Sequence, residues 1–110
     1  MANTFKLKTK ANVGVTTVGI YTAPASTTTV VIGITLANTS GSGVNVGVAV
    51  SRTSDTKEDI KQLKNAPIPS GSSLEFMSGN KIVLETSDQI NVDSDTNNSV
   101  DAALTIMEIT

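Results

Sequence analysis

The stretch VVIGITLANTSGSGVNVGVAV, residues 30–50, contains two runs of alternating apolar residues on either side of a short polar loop. Valine occupies every even position from 44 to 50, and a period of two is the signature of a strand rather than of a helix. The first run keeps the same spacing with Val30, Ile32, Ile34 and Leu36. Asn, Ser and Gly crowd the loop, residues 38–43, as they do in hairpins. We therefore predict two strands that pair across this loop.

Period-two alternation continues along most of the chain, and turn residues separate the runs. Further strands are predicted around Phe5 and Leu7, Val18 and Ile20, Leu74 and Phe76, Ile82 and Leu84, Ile90 and Val92, and over residues 100–109. A change of parity at Thr16 and Thr17 predicts a bulge or a bend. The prediction is an all-β fold: a single antiparallel β-sandwich or jelly-roll-like domain of about eight strands over residues 1–110. Residues 1–12 would form either an N-terminal arm or an edge strand.

Two segments interrupt the alternation. Residues 66–73, APIPSGSS, predict a rigid turn because they combine two prolines with a glycine. In residues 54–64, Ile60 and Leu63 are three positions apart among charged residues. That spacing fits a short helix, and a turn or a polar edge strand fits equally well.

Composition excludes several classes of protein. The 110 residues include no cysteine and no histidine, so disulfides, thiolate metal sites and a histidine base are absent. The aromatic residues are one tyrosine and two phenylalanines, which predicts an aliphatic core. No dense basic stripe suggests a nucleic-acid partner, and no run is long enough to predict a membrane span or a signal peptide. We expect neither an enzyme nor a cofactor.

The charges are divided unevenly along the chain. Residues 1–58 carry five basic and two acidic groups, giving +3, and residues 59–110 carry three basic and eight acidic groups, giving −5. The asymmetry favours head-to-tail contact between copies. Three of the basic groups, Lys6, Lys8 and Lys10, share one face of the first strand. They are typical of an edge strand protected from aggregation, and an arm that reaches a neighbour is the alternative.

The residues between the large apolar positions are unusually small. If the strands in residues 30–50 pair, their second faces would form one smooth patch with little charge. The last strand is also apolar on both faces near its end. A sheet face of this kind fits packing on another chain, and ordinary exposure of small residues is the alternative. The predicted interface residues are Val31, Gly33, Thr35, Ala37, Asn45, Gly47, Ala49, Met107 and Ile109.

One loop has the ligand spacing of a calcium site. The candidate ligands are Asp93, Asp95, Asn97 and Asp101. They match the first, third, fifth and ninth positions of a calcium loop. However, Asn98 replaces the usual glycine and Leu104 replaces the bidentate glutamate. We therefore predict an acidic turn without a metal, and a calcium-dependent β-sandwich binding module remains an alternative.

Four stretches together resemble the small β-sandwich virion proteins of tailed bacteriophages, marine ones in particular. They are IYTAPASTTTVVIGITLANTSG (20–41), NAPIPSGSSLEF (65–76), GNKIVLETSDQINV (79–92) and ALTIMEIT (103–110). The shared pattern is a Tyr-Thr-x-Pro strand entry, an aliphatic strand ending in Asn, a Pro-x-Pro turn, and an apolar last strand that closes on Glu-Ile. The resemblance covers nearly the whole chain from Val13. It does not extend to the lysine-rich start or to residues 55–64.

The resemblance implies a non-enzymatic structural protein of the virion, assembled in the host cytoplasm. Its expected role is capsid decoration, also called cement: stabilising the head through contacts between subunits. An accessory role in the tail, baseplate or fibre is the alternative within the virion. The implied partners are further copies of this chain, a trimer among the arrangements, together with the major capsid protein or other virion subunits.

Overall fold

Nine antiparallel strands form the part of the chain that the computed structural model describes, residues 3–52, 58–76 and 81–110. The first five strands are β1 (Asn3–Val13), β2 (Val18–Thr22), β3 (Thr28–Asn38), β4 (Val44–Ser51) and β5 (Ile60–Ile68). The last four are β6 (Ser73–Phe76), β7 (Ile82–Leu84), β8 (Gln89–Ser94) and β9 (Val100–Ile109).

The strands form two sheets. The first sheet has five strands in the order β1-β9-β3-β6, with β7 also paired to β3, and the second has four in the order β2-β8-β4-β5. If β6 and β7 count as one position, this is the order of an eight-stranded jelly roll, in which the chain passes repeatedly between the sheets. The predicted all-β antiparallel sandwich is confirmed, with nine strands instead of about eight.

The strand that the sequence analysis did not count is β5, which contains part of the ambiguous segment, residues 54–64. Residues 60–64 belong to the polar edge strand of the second sheet, and residues 53–57 lie outside the described part. The strand continues into the predicted turn as far as Ile68, because Pro67 at a sheet edge has no ladder bond to lose on its open side. The turn itself is shorter and is closed by the bond from Ser72 N to Pro69 O, 3.1 Å long.

The prediction that β3 and β4 pair is wrong. β3 lies in the first sheet and β4 in the second, so the loop between them crosses the sandwich. Asn38 holds this crossing: its side-chain amide donates to the carbonyls of Ser42 (2.8 Å) and Ile68 (2.9 Å). The side-chain oxygen of Asn38, Oδ1, accepts a hydrogen bond from Ser40 N at 2.9 Å. Two apolar strand faces that oppose one another bury more surface than two that lie side by side.

A β-bulge in β3 changes which residues face the core. Opposite β9, Val31 pairs with Ile106 and Gly33 with Thr105, which leaves Ile32 as the extra residue. Consequently Val31 is buried, whereas Val30, one position earlier, faces outward. Strict alternation would have placed them the other way round.

The core between the sheets is aliphatic, as composition predicts. Its fully buried large side chains include Ile34, Leu36, Ile68, Leu84, Ile90, Leu104 and Ile106. Tyr21 is the buried aromatic residue among the described side chains. β1 contributes only Val13 to this core, because the rest of the strand is exposed or half-buried.

Candidate interaction surface

A row of apolar side chains crosses the outer face of the first sheet. Phe5 on β1 lies opposite Met107 on β9, Met107 lies opposite Val30 on β3, and Val30 lies opposite Val83 on β7. Phe5 is 69% exposed and Val83 is 57% exposed, while Met107 and Val30 are half-buried. None of the four packs against the core. We call these four residues the apolar row.

The strand positions beside the apolar row are also uncharged. On one side Leu7, which is 64% exposed, lies opposite Thr105, and Thr105 lies opposite Gly33. On the other side Ile109 lies opposite Thr28. The middle of this face therefore exposes apolar surface without the charges that usually accompany it on a solvated sheet. At the β7 edge, Val83 also lines a cleft with Arg52, Glu58 and Glu85.

A shallow groove of about 320 Å³ lies on the same face, further along the strands. It is lined by the small side chains Thr9, Ala103, Thr35 and Ala37, together with Lys10. Thr9, Ala103 and Thr35 are two positions beyond the row formed by Leu7, Thr105 and Gly33, and Ala37 is two positions further along β3. The face therefore has large side chains at one end and small ones at the other. Asp101 lies at the far end of the groove.

The lysines of β1 explain why its apolar side chains point outward. Lys6 lies on the core side of the strand, opposite Ile106, and its Nζ is 2.8 Å from Oε1 of Glu108. Inward-pointing charges on an edge strand are a known protection against edge-to-edge pairing. Because the lysines occupy the inner side, Phe5 and Leu7 are left on the outer side.

Glu108 is the centre of a buried polar cluster that anchors this edge. Its Oε2 accepts a 2.6 Å hydrogen bond from the Tyr21 hydroxyl, which also lies 2.8 Å from Oγ1 of Thr29. The hydrogen bonds from Lys6 and Tyr21 hold the pKa of Glu108 below its usual value. Burial, assisted by the bond to Glu108, raises the pKa of Tyr21 to about 12. The cluster joins β1, β2, β3 and β9.

The outer face of the second sheet has a different character. Asn45, Gly47 and Ala49 of β4 do face outward, but Asp93 lies opposite Gly47, and Asn91 and Lys61 flank Ala49. This face is therefore polar, and the smooth uncharged patch predicted here is wrong.

Gly47 provides space for one of these polar neighbours. A Cβ at Gly47 would lie 2.6 Å from Oδ1 of Asp93, whose Oδ2 accepts from the Thr17 hydroxyl at 3.1 Å. Two irregularities in the pairing of β4 with β5 open a polar cleft of about 190 Å³ above it, with Lys61 and Lys64 among its lining residues. The small residues of β4 thus accommodate side chains of their own sheet.

The structure divides the predicted interface residues among three locations. Gly33, Thr35, Ala37, Met107 and Ile109 lie on the outer face of the first sheet, and Asn45, Gly47 and Ala49 lie on the outer face of the second. Val31 is completely buried, so its assignment to an interface is wrong, and the bulge in β3 is the reason. Phe5, Leu7, Val30 and Val83 were missed. Phe5 and Leu7 were detectable in the sequence, because the lysines between them left only one side of the strand for apolar residues.

The candidate calcium ligands have separate partners. Asp93 binds Thr17, Oδ1 of Asp95 accepts from Asn45 N at 3.1 Å, and Oδ1 of Asp101 accepts from Asn12 N at 3.0 Å. Among the described residues, no three acidic side chains form a cluster that could hold a metal ion. The carboxylates support turns and strand ends, so the geometry does not favour the calcium-module alternative.

Comparison of the chain with protein-family models, curated proteins and solved structures found no significant match. Within the described ranges, no helix has the length and apolar character needed to cross a membrane.

Proposed function

We propose that this protein is a non-enzymatic structural component of a phage virion, with capsid decoration as its role. The observation that carries the proposal is the apolar row on the outer face of the first sheet. An exposed, continuous apolar surface on a folded domain is typical of a site that packs against another protein. In this proposal the face packs against a neighbouring subunit of the particle.

The fold supports this class of function without deciding it. Jelly rolls include viral capsid domains, as well as lectin domains and cupins, so the topology alone is compatible with several roles. The resemblance of residues 20–41, 65–76, 79–92 and 103–110 to small phage virion proteins favours the first of these. The cleft on the second sheet offers no aromatic platform for a sugar, since its lining residues are polar, charged or aliphatic.

The mechanism follows from packing and repetition. Each contact would bury the apolar row and would remove no charged side chain of that row from water, so it avoids the desolvation penalty of buried ions. One such contact is modest, because specific interfaces require roughly 1,200 Å² of buried surface in total. A particle repeats the contact at every equivalent position, and multivalency then turns modest affinity into mechanical reinforcement.

The test is co-sedimentation of the purified protein with heads and, separately, with tails of the phage whose genome encodes it. Binding to heads is the expected result. Binding to tails alone would replace decoration with a tail, baseplate or fibre accessory role. Binding to neither would overturn the virion proposal.

Two valine variants make this test specific to the surface. Val83 belongs to the apolar row, whereas Val15 lies outside the strands, and both are 57% exposed. We expect Val83→Lys to reduce head binding by about tenfold or more, because a charge placed in an apolar contact must be desolvated. Val15→Lys, which adds the same charge at equal exposure, should bind as the unmodified protein does. Equal binding by both variants would show that the apolar row is not the contact.

A further inference from the structure

We propose that the partner of the outer face of the first sheet is a second copy of the same face, packed about a two-fold axis that directs the apolar row of each copy into the groove of the other. This inference rests on the proposed function only in treating the apolar row as a packing surface. It adds the identity of the partner and the register of the contact.

The register follows from the order of residues along the strands. The apolar row, the row of Leu7, Thr105 and Gly33, and the groove row of Thr9, Ala103 and Thr35 follow one another at steps of about two residues, apart from the β3 bulge. A two-fold axis along the middle row places each strand antiparallel over its own copy. Met107 then lies over Ala103 of the second copy, and Thr105 lies over itself. Large side chains meet small ones, as close packing requires.

The area of the face is sufficient for a dimer. β1, β3 and β9 contain 11, 11 and 10 residues, and β6 and β7 complete the sheet beside them. With strands about 4.8 Å apart and a rise of about 3.3 Å per residue, the face measures roughly 600 Å² per copy. Two copies would bury roughly 1,200 Å², the lower limit for a specific interface.

The charges on the face select this orientation over the opposite one. Asp101 and Glu75 both lie towards the groove end, opposite Ala37 and Thr35 of β3. Packing two copies in the same strand direction would bring these carboxylates to the same end of the contact, where like charges repel. The proposed axis places the carboxylates of the two copies at opposite ends. Glu75 continues the groove row beside Thr35, so at the exposed edge of the sheet it meets Val83 of the second copy.

Cysteine cross-linking tests the register directly, because the chain contains no cysteine of its own. Purified Thr105→Cys should form a covalent dimer with a short thiol-to-thiol cross-linker, since this position lies on the axis. A mixture of Met107→Cys and Ala103→Cys should form the mixed dimer at least about tenfold more efficiently than Met107→Cys forms a dimer with itself. Ala49→Cys, on the outer face of the second sheet, is the control for random collision.

Each result decides the proposal. If Thr105→Cys cross-links no better than Ala49→Cys, the two faces do not meet and the inference fails. If Met107→Cys couples to itself better than to Ala103→Cys, the copies pack in the same direction and the inference also fails. These experiments use the purified protein alone, so dimers without head binding would count against the virion proposal only. Head binding by a protein that forms no such dimer would count against this inference only.

Discussion

The outer faces of the two sheets differ in chemistry although the sequence patterns behind them are nearly the same. On the first sheet, Val30 and Met107 lie among uncharged neighbours and leave an apolar row exposed. On the second, Gly47 and Ala49 lie among Asp93, Asn91 and Lys61, which make the surface polar.

The difference shows that the character of a sheet face is set by cross-strand neighbours. Along one strand, a small residue between two valines is equally compatible with a packing surface and with a space for a neighbour's side chain. Residues directly opposite one another have Cβ atoms about 4.5–5.5 Å apart, so each residue's surroundings come mainly from other strands. Gly33 and Gly47 illustrate the two outcomes: nothing lies within 4 Å of a Cβ at Gly33, whereas Asp93 obstructs one at Gly47.

The largest expected effect comes from placing the same charge on each face. Met107→Lys puts an ammonium group in the centre of the apolar row, and we expect self-association to weaken by about tenfold or more. Ala49→Lys adds that group to a face that is already polar, so association should be unchanged. Sedimentation velocity over a range of concentrations measures both, with circular dichroism to check the fold. Equal weakening by the two variants would remove the distinction between the faces.

A smaller effect is expected from adding one methyl group to each face. Gly47→Ala should lower the free energy of unfolding by about 1 kcal/mol, because the new Cβ displaces Asp93 from its bond with Thr17. Gly33→Ala should be neutral or stabilising by up to about 0.5 kcal/mol, since the site is open and glycine weakens a strand. Urea unfolding of both variants measures the difference. If Gly33→Ala lowered the free energy of unfolding as much as Gly47→Ala does, the space kept for Asp93 would not explain the glycine at position 47.

An effect confined to pH values above 10 concerns the cluster that anchors β1, the strand that carries one end of the apolar row. The pKa of Tyr21 is raised from 10.0 to about 12, so the folded protein holds this proton more tightly than the unfolded chain does. The associated stability is complete below pH 10 and is lost as the pH rises towards 12. We expect Tyr21→Phe to lose less stability over this interval than the unmodified protein, as followed by urea unfolding. If the free energy of unfolding fell equally with pH in both proteins, the Tyr21 hydroxyl would not contribute to the stability lost above pH 10.

Much of the fold could be predicted from the sequence, because period-two alternation reports a strand with one buried face. The all-β class, the single core and most strands follow from positions such as Val46, Val48 and Leu104. The partner of each strand could not be predicted, because alternation is a local property and pairing is not. The loop after Asn38 resembled a hairpin, whereas the pairing of β3 and β4 with different strands shows that it crosses between the sheets.

The candidate surface was predicted only in part for the same reason. Met107 and Ile109 were identified because the last strand is apolar on both faces. Val31 was misplaced because an unbroken alternation hides a bulge, and Val83 was missed because its strand has only three residues. The apolar row exists as a row only after four strands have been placed in register, and that information is distributed over the whole chain.

The bulge in β3 also has a consequence for variation in chain length. Ile32 is the residue that the pairing with β9 leaves over, so deleting it would give a regular strand in which Val30 still faces outward and Val31 and Ile34 still face the core. Deleting Thr35 instead would transfer either Ile34 or Leu36 to the solvent side. Related chains that differ in length within this strand are therefore expected to differ at the bulge. One codon there can be gained or lost while both the core and the apolar row are retained.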